Sequence, residues 1–379
     1  MSDEKTIIII TSQPLDFNNY RRLGVEELKS LGCRVLYLSY YFNYKIPSSK
    51  LKFYKEHDDF INFRKKIDFI RFIFSLKKKN FYFIDFFPPS LFRNFVNNIL
   101  KFKGGKKIDI DTGWYPEKGN KFIRSFKKER FLINFKRLYN IFKIRLKYFY
   151  TSFFSVKPDL YFCAGSLSQK KKENKKTKYV EAFSLDYQNY LNIKNEIKNK
   201  NIVTYIDQSF DDNYAIQIED EKFSINEEKH YKILNKFFSD LENKLNIKIV
   251  IASHYRRDFE KKNFFDNEVI YYKTGELIRD SKFVIAHNST AIGYAILFKK
   301  PVVFVSNTEL AKDKYLELDT YDFANFFNKP VIQLDNYNIN QIQNFLNIDD
   351  KAYENYIELF IKSKTSKFKN FWRDFLSHL

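Results

Sequence analysis

The sequence predicts an α/β protein made of two doubly wound units followed by a helical tail. Short apolar runs alternate with helix-like stretches along the chain, and this alternation is typical of parallel sheets joined by crossover helices. The chain begins in this way, since TIIIITS is followed by the helix-like NNYRRLGVEELKSLG and then by CRVLYLSY. Its 379 residues exceed what one ordinary core needs, so two domains are expected.

Two series of strand-like runs define the domains. The first series continues with NFYFIDFF, KIDIDTG, DLYFCAG and KYVEAFS. After a lysine-rich loop and a linker near residues 185–200, the second series contains NIVTYIDQ, IKIVIASHY, VIYYKT, FVIAHN, PVVFVS and PVIQLD. We therefore predict Rossmann-like domains over 1–190 and 200–337, and helices over 338–379 that pack back on the first domain.

The composition limits the class of partner. The chain has 43 Phe, 27 Tyr and only 9 Gly, and its net charge is +20. AT-rich codons encode Phe, Tyr, Asn and Lys, so part of the positive charge follows from codon usage. The charge therefore indicates an anionic partner without specifying nucleic acid. Cys33 and Cys163 lie in apolar runs, apart from any CxxC or Cys-His cluster, as in a reduced, cytoplasmic protein. With no signal peptide pattern and no window of about 18 uncharged apolar residues, we expect a soluble or peripheral protein.

Polar clusters follow three predicted strands of the second domain. They are Asp207 after the first strand, His254, Arg256 and Arg257 after the second, and His287, Asn288, Ser289 and Thr290 after the fourth. Ligands of open α/β sheets lie off the carboxyl ends of the strands, so these clusters predict one site. Arginines and hydroxyl groups at the start of a helix suit a nucleotide phosphate, although Ser289 and Thr290 could simply cap that helix. Neither a GxxxxGK[ST] nor a GxGxxG motif is present.

The segments SHYRRD and HNSTAIGYAILFKKPVVFV resemble GT-B glycosyltransferases that build bacterial surface polysaccharides, related to CMP-sialic acid and CMP-Kdo transferases. Those enzymes carry a His-Pro motif after one strand and a Ser/Thr pair at the start of a helix. Tyr255 replaces the proline here, and the resemblance covers roughly residues 200–310. It implies that His254 contacts the donor phosphate or ribose and that Ser289 and Thr290 contact the phosphate. Glu276 would contact the ribose or cap its short helix.

The resemblance also implies a reaction. The expected function is metal-independent transfer of a CMP-activated 2-keto acid sugar, with no cofactor besides the nucleotide sugar, onto a glycan or lipid-linked glycan. A UDP- or GDP-sugar donor is the nearest alternative, and a basic nucleic-acid-binding protein is a further one. The acceptor hydroxyl needs a base, for which Asp16 and Asp111 are candidates because each follows a predicted strand, and Asp207 could contact the acceptor or the donor sugar.

A basic, aromatic stretch lies in the first domain. Residues 121–157 contain eleven Lys or Arg and one acid, interleaved with aromatic residues at helix-like spacings. Such a stretch suits an anionic membrane surface, and would place the protein on the inner face of the cytoplasmic membrane. Single-stranded nucleic-acid binding and an ordinary core-facing helix are the alternatives.

Overall fold

In the part of the chain that the structure describes, two parallel sheets are linked by the helix Leu185–Ile193. The computed structural model describes residues 4–12, 17–40, 59–78, 80–87, 90–111, 116, 150–151, 153–169, 175–196, 198, 200–209, 225–254, 257 and 263–379. In this part of the chain no helix is long and apolar enough to cross a bilayer.

The first sheet contains seven described strands. They are β1 (Thr6–Thr11), β2 (Arg34–Tyr40), β3 (Phe60–Phe63), β4 (Phe81–Asp85), β5 (Gly105–Ile110), β6 (Leu160–Cys163) and β7 (Lys178–Glu181). The helices between them are α1 (Phe17–Arg22), α2 (Val25–Ser30), α3 (Lys66–Ser75), α4 (Leu91–Phe102) and α5 (Ser166–Gln169). The strands all pair in parallel in the order β3-β2-β1-β4-β5-β6-β7. The edge strand β3 was not predicted, because its four residues are too short an apolar run to be read between charged neighbours.

The second sheet contains six described strands, each predicted from the sequence. They are β8 (Ile202–Ile206), β9 (Lys248–Ala252), β10 (Glu268–Ile270), β11 (Val284–Ala286), β12 (Val302–Ser306) and β13 (Val331–Gln333). The associated helices are α6 (Leu185–Ile193), α7 (Glu227–Leu245), α8 (Thr274–Asp280), α9 (Ile292–Leu297) and α10 (Lys314–Phe326). These strands are also parallel, in the order β10-β9-β8-β11-β12-β13. The order reverses between β8 and β11, and at such a switch point a crevice opens beyond the strand ends.

Alternate residues of β1 pack into different cores because successive strand side chains point to opposite faces. Ile7 and Ile9 face α2 and the end of the chain, whereas Ile8 and Ile10 face α3 and α4. Several helices begin at residues whose side chains accept a backbone N–H of the first turn: Ser90, Ser184, Asn226, Asp349 and Asn370. These side chains satisfy donors that a helix start otherwise leaves unpaired.

The C-terminal tail divides between the domains. Its elements are a 3₁₀ segment (Ile339–Phe345), α11 (Asp350–Tyr356), a π-helical turn (Ile357–Ile361) and α12 (Phe371–Ser377). Tyr356 and Phe360 pack in the core of the second domain, whereas Phe371 and Trp372 pack in the core of the first. The tail therefore ties the two cores together, and it contacts the first domain both at the π-helical turn and through α12.

Glycines allow the close approach of the tail to the first domain. Gly24 has φ 59°, and a Cβ atom there would lie 2.0 Å from Nε1 of Trp372. At Gly165 an added Cβ would lie 2.2 Å from the carbonyl oxygen of Leu359. Both distances are far shorter than any van der Waals contact, so only glycine fits against the tail at these two points.

Candidate functional site

A cleft of about 280 Å³ opens at the switch point of the second sheet. Its walls come from both domains. Helices α1 and α6 lie on one side of the cleft, and the strand ends and α8 lie on the other side. The predicted residues that line it are Asp207, His254, Glu276, Ser289 and Thr290. The parallel strands β8, β9 and β11 therefore bring together side chains that are widely separated in the sequence.

Asp207 forms the floor of the cleft with Arg257. Arg257 donates from Nε to Asp207 Oδ2 over 2.8 Å and from Nη2 to Oδ1 over 3.0 Å, and the two side chains are 4% and 1% exposed. The Asp207 carboxylate also accepts the backbone N–H groups of Ser209 and His254 over 3.0 and 3.3 Å. Burial by itself would raise the pKa of Asp207, but the charge and hydrogen bonds of Arg257 outweigh burial and lower it. Asp207 is thus ionised and paired with Arg257, and its carboxylate holds the backbone at His254 in place.

His287 lies beneath the cleft rather than in its lining. Its Nδ1 is 2.6 Å from the carbonyl oxygen of Val305, and its Nε2 is 2.9 Å from the hydroxyl of Tyr205. Since a carbonyl can only accept, Nδ1 carries the proton and Nε2 accepts from Tyr205. His287 therefore supports the turn that follows β11.

A second buried histidine packs against the first. The rings of His230 and His287 are 5.7 Å apart, and Asn307 Nδ2 lies 3.0 Å from His230 Nδ1. Burial lowers the pKa of His230 to about 4 and that of His287 to about 3, so both are neutral at pH 7.

We expect the free energy of unfolding to fall as the pH falls below the ordinary histidine pKa. A pKa that folding lowers gives stability that is present above the unfolded value of 6.5 and lost as the pH falls towards the folded value. Between about pH 7.5 and about pH 5.5, each histidine should lower the free energy of unfolding by about 1.3 kcal/mol. Denaturant unfolding at the two pH values measures this change. The double variant His230→Gln, His287→Gln should show a smaller pH dependence, and an unchanged dependence would contradict the assignment.

The polar side chains of the turn after β11 have different roles: some stabilise the turn, and some line the cleft. Ser289 Oγ accepts the backbone N–H of Ala291 over 3.2 Å, so this hydroxyl has the role of a local cap. Asn288 donates to Asp319 Oδ2 over 3.4 Å. Thr290 is exposed and lines the cleft. Of the two hydroxyl groups, that of Thr290 is therefore better placed for a ligand.

Arginines from the first domain complete the cleft, and they were not among the residues predicted from the sequence. Arg21 Nη1 lies 3.3 Å from Glu276 Oε1 of the second domain, and its Nη2 donates to Asn189 Oδ1 over 3.3 Å. Arg22 Nε lies 3.3 Å from Asp186 Oδ1. The signal was available in NNYRRLG, because the helix that follows β1 also begins at the carboxyl edge of a parallel sheet.

Two residues near the cleft adopt the left-handed backbone conformation without being glycine. They are Ser209, with φ 50°, and Tyr272, with φ 60°. Ser209 follows Asp207 by two residues, and Tyr272 lines the cleft. Such conformations cost about 1–3 kcal/mol and cluster at functional sites. Their position agrees with a site at these strand ends.

The remaining predicted residues lie elsewhere. Asp111 directly follows β5 in the first sheet, is 5% exposed, and is not part of the cleft lining. Asp16 and Arg256 lie outside the described residues, as does most of the basic stretch 121–157. Within the described residues, no group of three or more His, Cys, Asp or Glu side chains could hold a metal ion.

Comparison with known proteins identifies the architecture. No protein-family model matches the sequence, and no curated protein does. Among solved structures, the chain is similar to Medicago truncatula UGT71G1 complexed with UDP-glucose, with a TM-score of 0.53 and 9% identity over 100% of this chain and 99% of that one. It is also similar to Phytolacca americana UGT2 complexed with UDP-2fluoro-glucose and pterostilbene, with a TM-score of 0.52 and 9% identity over 100% and 99% of the two chains. The predicted architecture is thereby confirmed: the chain has the two-domain fold of GT-B glycosyltransferases.

Proposed function

We propose that this protein is a glycosyltransferase that binds a nucleotide sugar in the cleft between its domains. At the switch point of the second sheet, Asp207, His254 and Thr290 meet at a single cleft that α1 closes with Arg21 and Arg22. A cleft at this position, with cationic and hydroxyl groups on its walls, suits a phosphate-linked ligand.

Each group has a distinct role in the proposed transfer. The bond between the anomeric carbon and the donor phosphate oxygen breaks, and a bond to the acceptor oxygen forms. His254 and Thr290 donate hydrogen bonds to the phosphate as it gains negative charge, and they stabilise the transition state more than the ground state. The acceptor proton passes to a carboxylate of the first domain. Asp16 is the remaining candidate of the two, because Asp111 is buried and does not line the cleft. Asp207 is a weak base because its pKa is lowered, so we assign it to positioning His254.

We propose a CMP-linked 2-keto acid sugar as the donor and a surface glycan as the acceptor. The support is the resemblance of residues 200–310 to CMP-sugar transferases, together with the arginine pair in the cleft. The carboxylate of such a sugar would meet Arg21 or Arg22, whose present partners Glu276 and Asp186 are also carboxylates. UDP-sugars are the alternative donors, because UGT71G1 and UGT2 are complexed with UDP-sugars.

Nucleotide binding tests the proposal directly. Melting temperatures should be measured with CMP, UDP, GDP and their sugar conjugates, because a ligand that binds only the folded state raises the melting temperature. We expect CMP and a CMP-linked 2-keto acid sugar to give the largest rise. A larger rise with UDP or UDP-sugars would overturn the choice of donor but keep the transferase. No rise with any nucleotide, combined with salt-sensitive retention on single-stranded DNA, would favour the nucleic-acid-binding alternative.

A further inference from the structure

We infer that the first domain docks on an anionic membrane surface through the outer side of α3 and α4. All eight large hydrophobic side chains that are exposed in the described part of the chain lie between residues 67 and 154. They are Ile67 and Phe74 on α3, Leu91, Phe95 and Phe102 on α4, and Tyr150, Phe153 and Phe154 beside α4. We call these eight residues the aromatic face.

Both helices carry apolar side chains on their outer side as well as on their inner side. On α4, Val96 and Leu100 are buried against the sheet, while Phe95 and Phe102 are 47% and 75% exposed. On α3, Phe69 and Ile73 are buried and Phe74 is 54% exposed. A helix that covers a sheet normally carries polar residues on the opposite side. The outer apolar side therefore calls for a partner.

Hydrogen bonds join the three parts of the aromatic face into one surface. Asn94 Nδ2 donates to the carbonyl oxygen of Thr151 over 2.6 Å, and Asn98 Nδ2 donates to that of Phe154 over 3.4 Å. At the other side of α4, Lys103 Nζ donates to the carbonyl oxygen of Leu76 over 2.6 Å, at the end of α3. Residues 150, 151, 153 and 154 thus lie beside α4, and α4 lies beside the end of α3.

The charge around the aromatic face identifies an anionic partner. Described residues 64–78 contain six Lys or Arg and one acid, Asp68, and residues 91–107 contain no acid. Lys78 Nζ lies 4.4 Å from the centre of the Phe102 ring, so a cation adjoins the most exposed aromatic side chain. Lysine stems can lie along apolar surface while their ammonium groups reach lipid phosphates. Aromatic rings with a basic rim match the interface of an anionic bilayer, where apolar burial and charge attraction add.

This surface is separate from the cleft, because none of its eight residues lines the cleft. The aromatic face belongs to the layer of α3 and α4, whereas α2 and α12 cover the opposite face of the first sheet. The inference therefore does not depend on sugar transfer. Donor binding and membrane binding can be measured separately, and either can fail without the other.

Sedimentation with vesicles tests the inference. We expect the full chain to bind vesicles of equal parts phosphatidylcholine and phosphatidylglycerol, and to bind pure phosphatidylcholine far more weakly. Two double variants, Phe95→Ser with Phe102→Ser and Lys77→Gln with Lys78→Gln, should each weaken binding at least about tenfold. Because these side chains are exposed, the melting temperature should stay unchanged.

Two controls separate the aromatic face from general charge and from the cleft. Lys232→Gln with Lys244→Gln removes two exposed cations from α7 of the second domain and should leave vesicle binding unchanged. Thr290→Val should impair donor binding without affecting vesicle binding. Equal binding to both kinds of vesicle, no binding to either, or wild-type binding by both double variants would overturn the inference. So would a concentration-dependent dimer that Phe95→Ser with Phe102→Ser abolishes, since a second copy would then be the partner.

Discussion

Replacing Arg257 by methionine should lower the free energy of unfolding by about 3–5 kcal/mol, because it leaves the Asp207 carboxylate buried without its cation. Arg257 is held by two hydrogen bonds to Asp207 and by a third to the hydroxyl of Tyr231 over 2.7 Å. Asp207, Arg257 and Tyr231 are all buried, so water cannot readily replace the hydrogen bonds that the substitution removes. Denaturant unfolding near neutral pH measures the loss.

An exposed ion pair provides the matched control. Lys236 and Asp240 lie 3.0 Å apart on the surface of α7, with side chains 73% and 40% exposed. Lys236→Met should change the stability little, because water replaces the lost partner. The double variant Arg257→Met, Asp207→Leu should recover much of the stability that Arg257→Met loses. A single Arg257→Met variant as stable as wild type would show that the pair does not support the floor of the cleft.

The same pair predicts sensitivity to acid. The pKa of Asp207 is lowered in the folded protein, so its contribution is present above the unfolded value of about 3.9 and is lost as the pH falls through the folded value. This loss begins at about pH 4, where the histidines, with folded pKa values of about 4 and about 3, are still losing their contribution. Only the fall in stability between about pH 7.5 and about pH 5.5 therefore belongs to the histidines alone.

The second large effect concerns donor binding. Thr290→Val and His254→Gln should each lower kcat/KM about ten- to a hundredfold, which corresponds to about 1.5–3 kcal/mol of lost transition-state stabilisation. The reason is that both side chains line the cleft, where a donor phosphate would gain charge. Steady-state kinetics with the donor found by the nucleotide screen measures the effect.

Ser289 and Thr308 make this prediction specific. Since Ser289 Oγ accepts the N–H of Ala291, Ser289→Ala should cost about 0.5–2 kcal/mol of stability and change kcat/KM less than Thr290→Val does. Thr308 is an exposed threonine bonded to Asp335, outside the cleft lining, so Thr308→Val should leave kcat/KM unaltered. If Thr290→Val retained full kcat/KM in a folded protein, the segment HNST would be a structural cap alone.

Most of the fold could be predicted from local patterns. Each strand of the second sheet coincides with an apolar run of the sequence, and the strand ends locate Asp207, His254 and Thr290 at one edge. This works because hydrophobic periodicity and the parallel direction of crossover units are local properties of the chain. The four-residue strand β3 carries too little of this signal.

The tertiary structure decided the partners of those residues. Arg257 pairs with an aspartate 50 positions earlier, and Arg21 meets Glu276 across two domains. His287 carries the same sequence signal as Thr290, yet it lies at 0% exposure under the cleft. The sequence by itself determined which strands form and which polar residues follow them. Only the tertiary structure decided which of these side chains face the cleft and which are buried below it as neutral or paired groups. The reason is that this outcome depends on contacts between residues far apart in the chain.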